Sequence, residues 1–420
     1  MQLLIKNIAT LVQVEQGPPA LRIAGKNMQQ LPVLENAFLL MESGRITDFG
    51  PMDECPSVSE SASMIDAKGK MVFPCWCDSH THLVYAGSRE QEFVYRIKGM
   101  TYEEIARQGG GILNSARLLQ QTPEEELYNS AMERLAEITR YGTGAVEIKS
   151  GYGLSFDSEL KMLRVIKEMK KHTDVEIKAT FLGAHAIPLQ YKANRQAYIA
   201  EIIQRMLPAI ALEGLADYID VFCDTGFYTV AETEQILEAG GLFGLKPKIH
   251  ANELAVSGGV QVGVQRGAIS VDHLEQIGQA EIDCLLGSPI TMPTLLPGTA
   301  FFLNIPYAPA RQMIDAGLPV CLASDYNPGS TPSGRMSFVL SLACLKLQML
   351  PEEAIHAATI NGACAMELQQ THGSICRGKV ANVFITKPMP SVAFLPYAFG
   401  SNLIETVILK GKVVETTAKG

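Results

Sequence analysis

The central part of the chain, between about residues 69 and 378, alternates short apolar runs with longer amphipathic stretches. The apolar runs have the length of buried strands, whereas the stretches between them repeat their apolar residues at helical spacing. Eight such units predict an α/β fold, namely a closed parallel (β/α)8 TIM barrel, in which functional side chains lie at the carboxyl ends of the strands. The eight predicted strands end near residues 82, 152, 185, 223, 250, 273, 296 and 325.

Both ends of the chain lack this alternation and consist of short predicted strands and turns. Apolar runs at residues 37–41 and 45–50 flank a turn with Gly44, which predicts a β-hairpin. Residues 380–386 and 406–415 have the same strand-like character. Because neither end supplies enough sheet to bury a core alone, we expect residues 1–67 and 379–420 to form one small β-sandwich. The barrel domain is then expected to span residues 68–378.

The composition limits the partners and the location of the protein. A formal net charge of −9 disfavours nucleic acid and anionic membranes as partners. The sequence has no apolar run of about 18 residues and no signal-peptide pattern at its start. Nine scattered cysteines, an odd number, indicate free thiols in a reducing cytoplasm. We therefore expect a cytoplasmic protein that acts on a small molecule.

Five of the eight histidines lie at predicted carboxyl ends of barrel strands, where they would surround one mouth. The first two form a His-x-His pair, whose side chains point to the same face of a strand. His80, His82, His250 and Asp325 could supply three nitrogens and one oxygen to one divalent cation such as Zn²⁺ or Fe²⁺. Such a cation lowers the pKa of a water to about 7 and creates a nucleophile.

Two further residues near these ligands suit catalysis. His273 ends the neighbouring strand, where it could orient the water or polarise a carbonyl under attack. Glu253 follows His250 by three residues, so a short turn could fold its carboxylate into the site. Alternatively, Glu253 lies in the first turn of a helix predicted over residues 252–263, where the helix dipole favours a carboxylate. The local sequence leaves both interpretations open.

The order of these residues resembles the pattern of the amidohydrolase superfamily, and the flanking sequences resemble those of its imidazolonepropionases. The likeness runs nearly end to end, and its motifs are residues 78–90, 147–154, 181–188, 250–253, 271–275, 295–301 and 324–330. It implies hydrolysis of the cyclic amide of 4-imidazolone-5-propanoate to N-formimidoyl-L-glutamate in histidine degradation. It also implies a homodimer.

The resemblance bears on the number of metal ions as well. Binuclear members of the superfamily bridge two ions through a carboxylated lysine on the fourth strand. The fourth predicted strand here, residues 218–223, contains no lysine. One metal ion per chain is therefore the simpler expectation, although Cys223 could bridge a second ion in principle.

The resemblance implies a role for each residue around the metal. Arg89, Tyr152, His185 and Ser330 would contact the substrate, and Tyr152, Asn327 and Gly329 the ring-opened product. A guanidinium can bind the carboxylate of this substrate through two hydrogen bonds, which suits Arg89. On local sequence alone, Arg89 could equally be a surface charge, and residues 327–330 only a turn.

In the implied reaction, His273 and the metal stabilise the oxyanion, while Asp325 or Glu253 relays a proton to the leaving nitrogen. Two other functions fit the metal ligands. Deamination of a purine or pterin ring would use a similar ligand set, but it would not need the anion-binding Arg89. A barrel without catalysis could also serve as a scaffold, although intact ligands at the strand ends weigh against this alternative.

Overall fold

The computed structural model describes residues 2–100, 104 and 110–414. Eight strands form a parallel sheet in chain order, each hydrogen-bonded to the next. This sheet and the helices between its strands confirm the predicted (β/α)8 barrel. Barrel strands one to eight are Trp76–Thr81, Thr143–Lys149, Glu176–Ala184, Tyr218–Cys223, Lys246–Ala251, Ser270–His273, Met292–Leu295 and Cys321–Leu322.

The barrel closes through the backbone of the residues that follow its eighth strand. The amide of Asp325 donates to the carbonyl of His80, and the amide of His82 donates to the carbonyl of Tyr326, both at 2.9 Å. Asp78 strengthens this junction by accepting hydrogen bonds from the amide and the hydroxyl of Ser324, at 2.9 and 2.5 Å. The two ends of the barrel sequence are therefore joined directly at the mouth.

The helices around the barrel bury one apolar face each. In Glu124–Arg140, for example, the buried Leu127, Ala131, Leu135 and Ile138 recur at helical spacing and face the sheet. Among the described residues, the other α-helices with given bounds are Glu90–Ile97, Ile112–Gln121, Phe156–Met169, Arg195–Glu201, Leu207–Glu213, Val230–Leu242, Gly259–Gln265, Gln279–Leu286, Pro297–Leu303, Ala310–Ala316, Met336–Lys346, Pro351–Ala358, Ile360–Ala365 and Phe394–Tyr397. A π-helical segment, Ile202–Met206, joins two of them.

The helix predicted over residues 252–263 is wrong in its first half, because helical structure begins only at Gly259. Asn252 has a left-handed backbone, with φ of 57°. The carboxylate of Asp224 accepts hydrogen bonds from the amides of residues 253–255, at 2.8, 2.9 and 3.2 Å. Because the residue before this segment is left-handed and a side chain that follows the fourth barrel strand binds its amides, the segment is a loop.

After the eighth barrel strand, two helices, Pro351–Ala358 and Ile360–Ala365, are separated by a break at Thr359. Thr359 has φ of −122° and ψ of −91°, which no helix accommodates. Its hydroxyl lies 2.7 Å from Gln13 Oε1, so the break connects the barrel to the N-terminal strands.

Both termini contribute to one separate eight-stranded sheet, as expected. The predicted hairpin is present as Val33–Glu42 and Arg45–Pro51. Met71–Pro74 also belongs to this sheet, which therefore extends beyond residue 67 into the range expected for the barrel. The exact domain boundaries stay a prediction. The other strands of the sheet are Gln2–Val12, Ser63–Asp66, Val383–Thr386, Ile404–Leu409 and Lys412–Val413, and Val14–Glu15 pairs separately with Ile375–Cys376.

Aromatic packing joins this sheet to the first barrel strand. Phe73 stacks on Phe384 with ring centroids 5.2 Å apart, and Trp76 lies 4.8 Å from Phe384. All three rings are buried. In the described parts of the chain, no helix has both the length and the apolar character that crossing a bilayer requires.

His372, which is buried beside the terminal sheet, provides a test of acid stability. Burial, together with the charge of Lys379, lowers the pKa of His372 to about 4. In the unfolded chain the imidazole protonates near its ordinary pKa of about 6.5. Since the folded state binds the proton more weakly, stability is present above pH 6.5 and is lost as the pH falls towards 4.

We expect His372→Asn to reduce this acid dependence, because asparagine cannot titrate but can still bond to the Thr371 hydroxyl, which lies 2.8 Å from Nδ1. Urea unfolding of the metal-free proteins at pH 7.5 and pH 5 measures how much unfolding free energy each loses on acidification. The wild type should lose about 2 kcal/mol more than the variant. The exposed His172, changed to asparagine, is the control. Identical pH dependence in the wild type and the His372 variant would contradict the assignment.

Candidate active site

Three histidine rings meet at the carboxyl mouth of the barrel. His80 and His82 come from the first barrel strand and His250 from the fifth, and one ring nitrogen of each lies within 4.8 Å of the others. All three side chains are buried. Burial lowers the pKa of each imidazole well below its usual range. The rings are therefore neutral, which is the form that binds a metal ion.

Asp325 adds a carboxylate to this cluster. Its Oδ1 lies 3.6 Å from Nε2 of both His80 and His82. Its Oδ2 accepts hydrogen bonds from Thr299, at 2.6 Å, and Ser330, at 3.2 Å. One oxygen is thus held by hydroxyl groups while the other faces the histidines. The backbone of Asp325 is left-handed, with φ of 54°, a strained conformation that the barrel-closing hydrogen bonds maintain.

Two buried carboxylates orient the histidine rings from behind. Asp272 Oδ2 lies 2.7 Å from His80 Nδ1, and Asp220 Oδ2 lies 3.0 Å from His250 Nδ1. A carboxylate at Nδ1 fixes the ring orientation and leaves Nε2 as the metal-binding atom. Asp272 makes a hydrogen bond to its imidazole, whereas Asp220 lies close to His250 Nδ1 without hydrogen-bond geometry. Among the residues that the structure describes, Nε2 of His80 and both ring nitrogens of His250 are buried and have no hydrogen-bond partner. These unpartnered nitrogens beside a carboxylate fit a divalent cation such as Zn²⁺ or Fe²⁺.

His273 lies beside the cluster, between two glutamates. Its Nε2 is 3.7 Å from Glu253 Oε2, and its Nδ1 is 3.6 Å from Glu275 Oε2. Burial alone would favour the neutral ring, but the two carboxylates outweigh it and raise the pKa of His273 to about 10. Burial raises the pKa of Glu253 to about 7. The two neighbouring carboxylates thus favour the protonated form of His273, while burial disfavours ionisation of the Glu253 carboxyl group.

The position of Glu253 decides between the two interpretations of its sequence. It lies in the loop before Gly259 rather than in a helix, and Asp224 binds its amide. Its carboxylate faces His273. The helix-dipole interpretation is therefore wrong.

Arg89 lies at the same mouth, just before the helix Glu90–Ile97. Its Nη2 donates to Glu92 Oε2 at 2.7 Å, and the Glu92 carboxylate also accepts from the amide of Gly111 at 2.8 Å. The guanidinium lies against Gly329, where any added Cβ would overlap Nη1. Arg96 donates to the carbonyl of Gly329 at 2.8 Å. Two arginines thus contact the turn that follows the eighth strand.

That turn is shaped by the side chain of Asn327. Its Oδ1 accepts from the amides of Gly329 and Ser330, at 2.7 and 2.8 Å, and its Nδ2 donates to the Asp325 carbonyl at 2.7 Å. Ser330 in turn reaches the Asp325 carboxylate. The turn is therefore connected directly to the cluster.

Tyr152 and His185 complete the expected set of site residues. The ring of His185 stacks on His82 with centroids 5.4 Å apart, and Tyr152 lies 5.6 Å from His82 and 5.5 Å from His185. The His185 Nδ1 lies 3.2 Å from the carbonyl of Gly151. Burial lowers the pKa of His185 to about 4, so its ring is neutral. Through these contacts, every expected site residue adjoins the histidine cluster or the adjacent turn.

Several polar residues of the site were missed by the sequence interpretation, namely Lys149, Asp220, Asp272, Glu275 and Thr299. A signal for some of them exists in the sequence, because a charged residue inside a buried apolar strand is rarely without a partner. Cys223, by contrast, is not part of the histidine cluster. Burial raises the pKa of its thiol.

Comparison with known sequences identifies relatives over the whole length. A model of the amidohydrolase family matches residues 71–414. The chain is 58% identical over 411 residues to the imidazolonepropionase of Flavobacterium johnsoniae, a match that covers 98% of this chain and 99% of that protein. It is 42% identical over 414 residues to the imidazolonepropionase of Alkaliphilus oremlandii, covering 98% and 97% of the two chains.

Solved structures share the fold at much lower identity. Guanine deaminase from E. coli superposes with a TM-score of 0.75 at 14% identity and covers 99% of both chains. An adenosine deaminase from Xanthomonas campestris with bound zinc superposes with a TM-score of 0.68 at 16% identity, covering 98% of this chain and 92% of the other. At these identities, the likeness shows only that the fold is the same.

The histidine cluster predicts the metal content of the purified protein. Without chelator, we expect about one divalent ion per chain by inductively coupled plasma mass spectrometry. His250→Ala should reduce this content to near zero, because it removes one of the three clustered nitrogens. His185→Ala is a matched control, since its ring lies 5.7 Å from His250 but outside the cluster. Equal metal loss in both variants would contradict the assigned ligand set.

Proposed function

We infer that this chain, which belongs to the imidazolonepropionases of the amidohydrolase family, hydrolyses the cyclic amide of 4-imidazolone-5-propanoate to N-formimidoyl-L-glutamate. The inference is carried by the identity of 58% over 98% of the chain to a relative of that name. The protein is accordingly a hydrolase of carbon–nitrogen bonds in a cyclic amide, and it acts in histidine degradation.

We propose that His80, His82, His250 and Asp325 hold one divalent cation, Zn²⁺ or Fe²⁺. When bound, the cation would act as a Lewis acid and lower the pKa of a water at the site. The cluster of three neutral nitrogens beside the Asp325 oxygen supports this assignment. These ligands fit zinc and iron equally, because both ions accept imidazole and carboxylate ligands.

The reaction adds one water across the ring amide. A bond forms between the water oxygen and the carbonyl carbon, the ring carbon–nitrogen bond breaks, and the departing nitrogen receives a proton that the water has lost. His273 donates a hydrogen bond to the carbonyl oxygen as negative charge develops there. Its raised pKa, due to Glu253 and Glu275 against the effect of burial, supports this role as a cationic donor.

Glu253 is the better candidate for relaying the proton. Its pKa of about 7, raised by burial, permits it to accept and return a proton near neutral pH. The carboxylate of Asp325 is already engaged by Thr299 and Ser330 on one oxygen and lies beside His80 and His82 on the other. We therefore propose that Asp325 acts as a metal ligand and Glu253 as the proton relay.

The substrate carboxylate would bind Arg89, assisted by Ser330 of the adjacent turn. Tyr152 and His185 flank His82, so they would contact the imidazolone ring above the cluster. After ring opening, Tyr152, Asn327 and Gly329 would contact the product. The glycine at position 329 supports this arrangement, because a larger residue would displace the Arg89 guanidinium.

Replacing Arg89 tests the anion-binding role. We expect Arg89→Met to lower kcat/KM about 10- to 100-fold for 4-imidazolone-5-propanoate, the range for losing a hydrogen bond between charged groups. For an analogue with a carboxamide in place of the carboxylate, the same variant should lose far less kcat/KM. Arg117→Met, on an exposed helical face, is the control variant. Equal losses of kcat/KM on both substrates would refute the role of Arg89.

The wild-type protein also distinguishes the two alternative functions. Activity only on purine or pterin amines would favour the ring-deaminase alternative. Absence of turnover on all of these rings would favour the scaffold alternative.

Replacing Glu253 tests the proton relay. Glu253→Gln removes the titratable group but keeps its size, so we expect kcat to fall about 10²- to 10⁴-fold with metal content unchanged. His273→Ala should also lose most turnover, since it removes the donor to the oxyanion. Steady-state kinetics with metal analysis of the same samples measures both effects. Full turnover in Glu253→Gln would return the relay role to Asp325.

We also propose a cytoplasmic homodimer with no nucleic-acid or membrane partner. The nine free cysteines and the net charge of −9 support the reducing compartment and the lack of an anionic partner. Sedimentation of the purified protein would determine its oligomeric state.

A further inference from the structure

Beneath the metal ligands, the barrel interior contains a group of charged side chains instead of an apolar core. This group, the interior charge cluster, comprises three acids and two bases, all with 0% exposure: Glu147, Asp220, Asp272, Lys149 and Lys248. None of them belongs to the expected metal or substrate set. Buried charges are costly unless they are paired, so their arrangement requires an explanation.

Lys149 contacts all three acids of this cluster. Its Nζ donates to Glu147 Oε1 at 2.6 Å and to Asp220 Oδ2 at 2.8 Å, and it lies 3.4 Å from Asp272 Oδ2. The two aspartate oxygens are the same atoms that approach the ligand histidines. Asp220 Oδ2 is 3.0 Å from His250 Nδ1, and Asp272 Oδ2 is 2.7 Å from His80 Nδ1.

Each aspartate oxygen therefore lies between the ammonium of Lys149 and one imidazole. Asp272 is hydrogen-bonded to His80, and Asp220 lies close to His250 without hydrogen-bond geometry. One cation thus fixes two carboxylates that orient two different metal ligands, one from the first strand and one from the fifth. Without a shared counter-charge, two buried anions repel each other and turn towards other donors. A displaced carboxylate would no longer hold its imidazole with Nε2 directed to the cluster.

Lys248 provides an internal comparison. It lies on the fifth barrel strand and is as deeply buried as Lys149. Its Nζ pairs with the carboxylate of Glu147 and lies 3.5 Å from the carbonyl of Ser79. These contacts reach neither aspartate that faces a ligand histidine. The two lysines thus share burial, charge and one partner, but differ in their connection to the metal ligands.

We propose that Lys149 is a positioning residue of the metal centre, which holds His80 and His250 in place through Asp272 and Asp220. The proposal rests on the metal ligands of the proposed function but not on the identity of the substrate. It predicts an effect on the affinity and geometry of the cation site that Lys248 does not share.

The test compares Lys149→Met with Lys248→Met, each stripped of metal and titrated with Zn²⁺ and Co²⁺. We expect Lys149→Met to bind Zn²⁺ about 10- to 100-fold more weakly, the usual range for losing a group that orients a metal ligand. Visible absorption of bound Co²⁺, which reports ligand geometry, should change in Lys149→Met and stay as in the wild type in Lys248→Met. Thermal unfolding of the metal-free proteins should show similar losses in both variants.

A purely structural role would weaken metal binding equally in the two variants, and that result would overturn the proposal. Tighter Zn²⁺ binding by Lys149→Met would also overturn it, because it would show that the lysine acts mainly by repelling the cation. Lys149→Gln, which keeps a donor without the charge, serves if the methionine variant does not fold, with the same expected loss.

The proposal and the proposed function can fail separately. If Zn²⁺ affinity falls only in the Lys149 variants but the wild type does not turn over the imidazolone, the proposed function alone is overturned. If the wild type turns over the imidazolone but the Lys149 and Lys248 variants bind Zn²⁺ equally, the positioning role alone is overturned. A wild type that binds neither Zn²⁺ nor Co²⁺ would overturn both the metal centre and the role of Lys149.

Discussion

The site depends on the backbone hydrogen bonds that close the barrel. His80 and Asp325 are separated by most of the barrel sequence, yet the amide of Asp325 donates directly to the carbonyl of His80. This bond brings a carboxylate from the end of the eighth strand to the two histidines of the first. It also holds Asp325 in a left-handed conformation that few non-glycine residues adopt. Closure of the sheet therefore also places the Asp325 carboxylate beside His80 and His82.

The same junction connects the histidine cluster to the turn that Arg89 contacts. Asn327 folds the chain back immediately after Asp325, so that Ser330 reaches the Asp325 carboxylate and Gly329 faces Arg89. Glu92 keeps the guanidinium in place from the other side. In the proposed function, a carboxylate-bearing substrate would thus be positioned by a turn that is hydrogen-bonded to a proposed metal ligand. Substrate selection and metal binding would then depend on one short segment.

The sequence was informative where a pattern repeats or a motif is local. Strand–helix alternation predicted the barrel, and histidines at strand ends predicted His80, His82 and His250 as one cluster. The helix predicted over residues 252–263 is wrong in its first half because the amides of residues 253–255 bind Asp224. This residue follows the fourth barrel strand, and no local pattern reveals the contact. Lys149 and Asp272 were missed for a related reason. Their importance lies in contacts between different strands, which depend on the register of the sheet.

Burying charged side chains in the barrel interior costs free energy, and their contacts with His80 and His250 suggest a reason for their presence. A barrel of this type usually fills its interior with layers of branched apolar side chains, which stabilise it without any need for pairing. Here Lys149 and Lys248 occupy such positions and are surrounded by Glu147, Asp220 and Asp272. Buried ion pairs contribute little net stability compared with apolar packing. The advantage of these ion pairs is that they orient their neighbours. A carboxylate that a lysine holds in place can keep an imidazole in one orientation, which an apolar side chain cannot do.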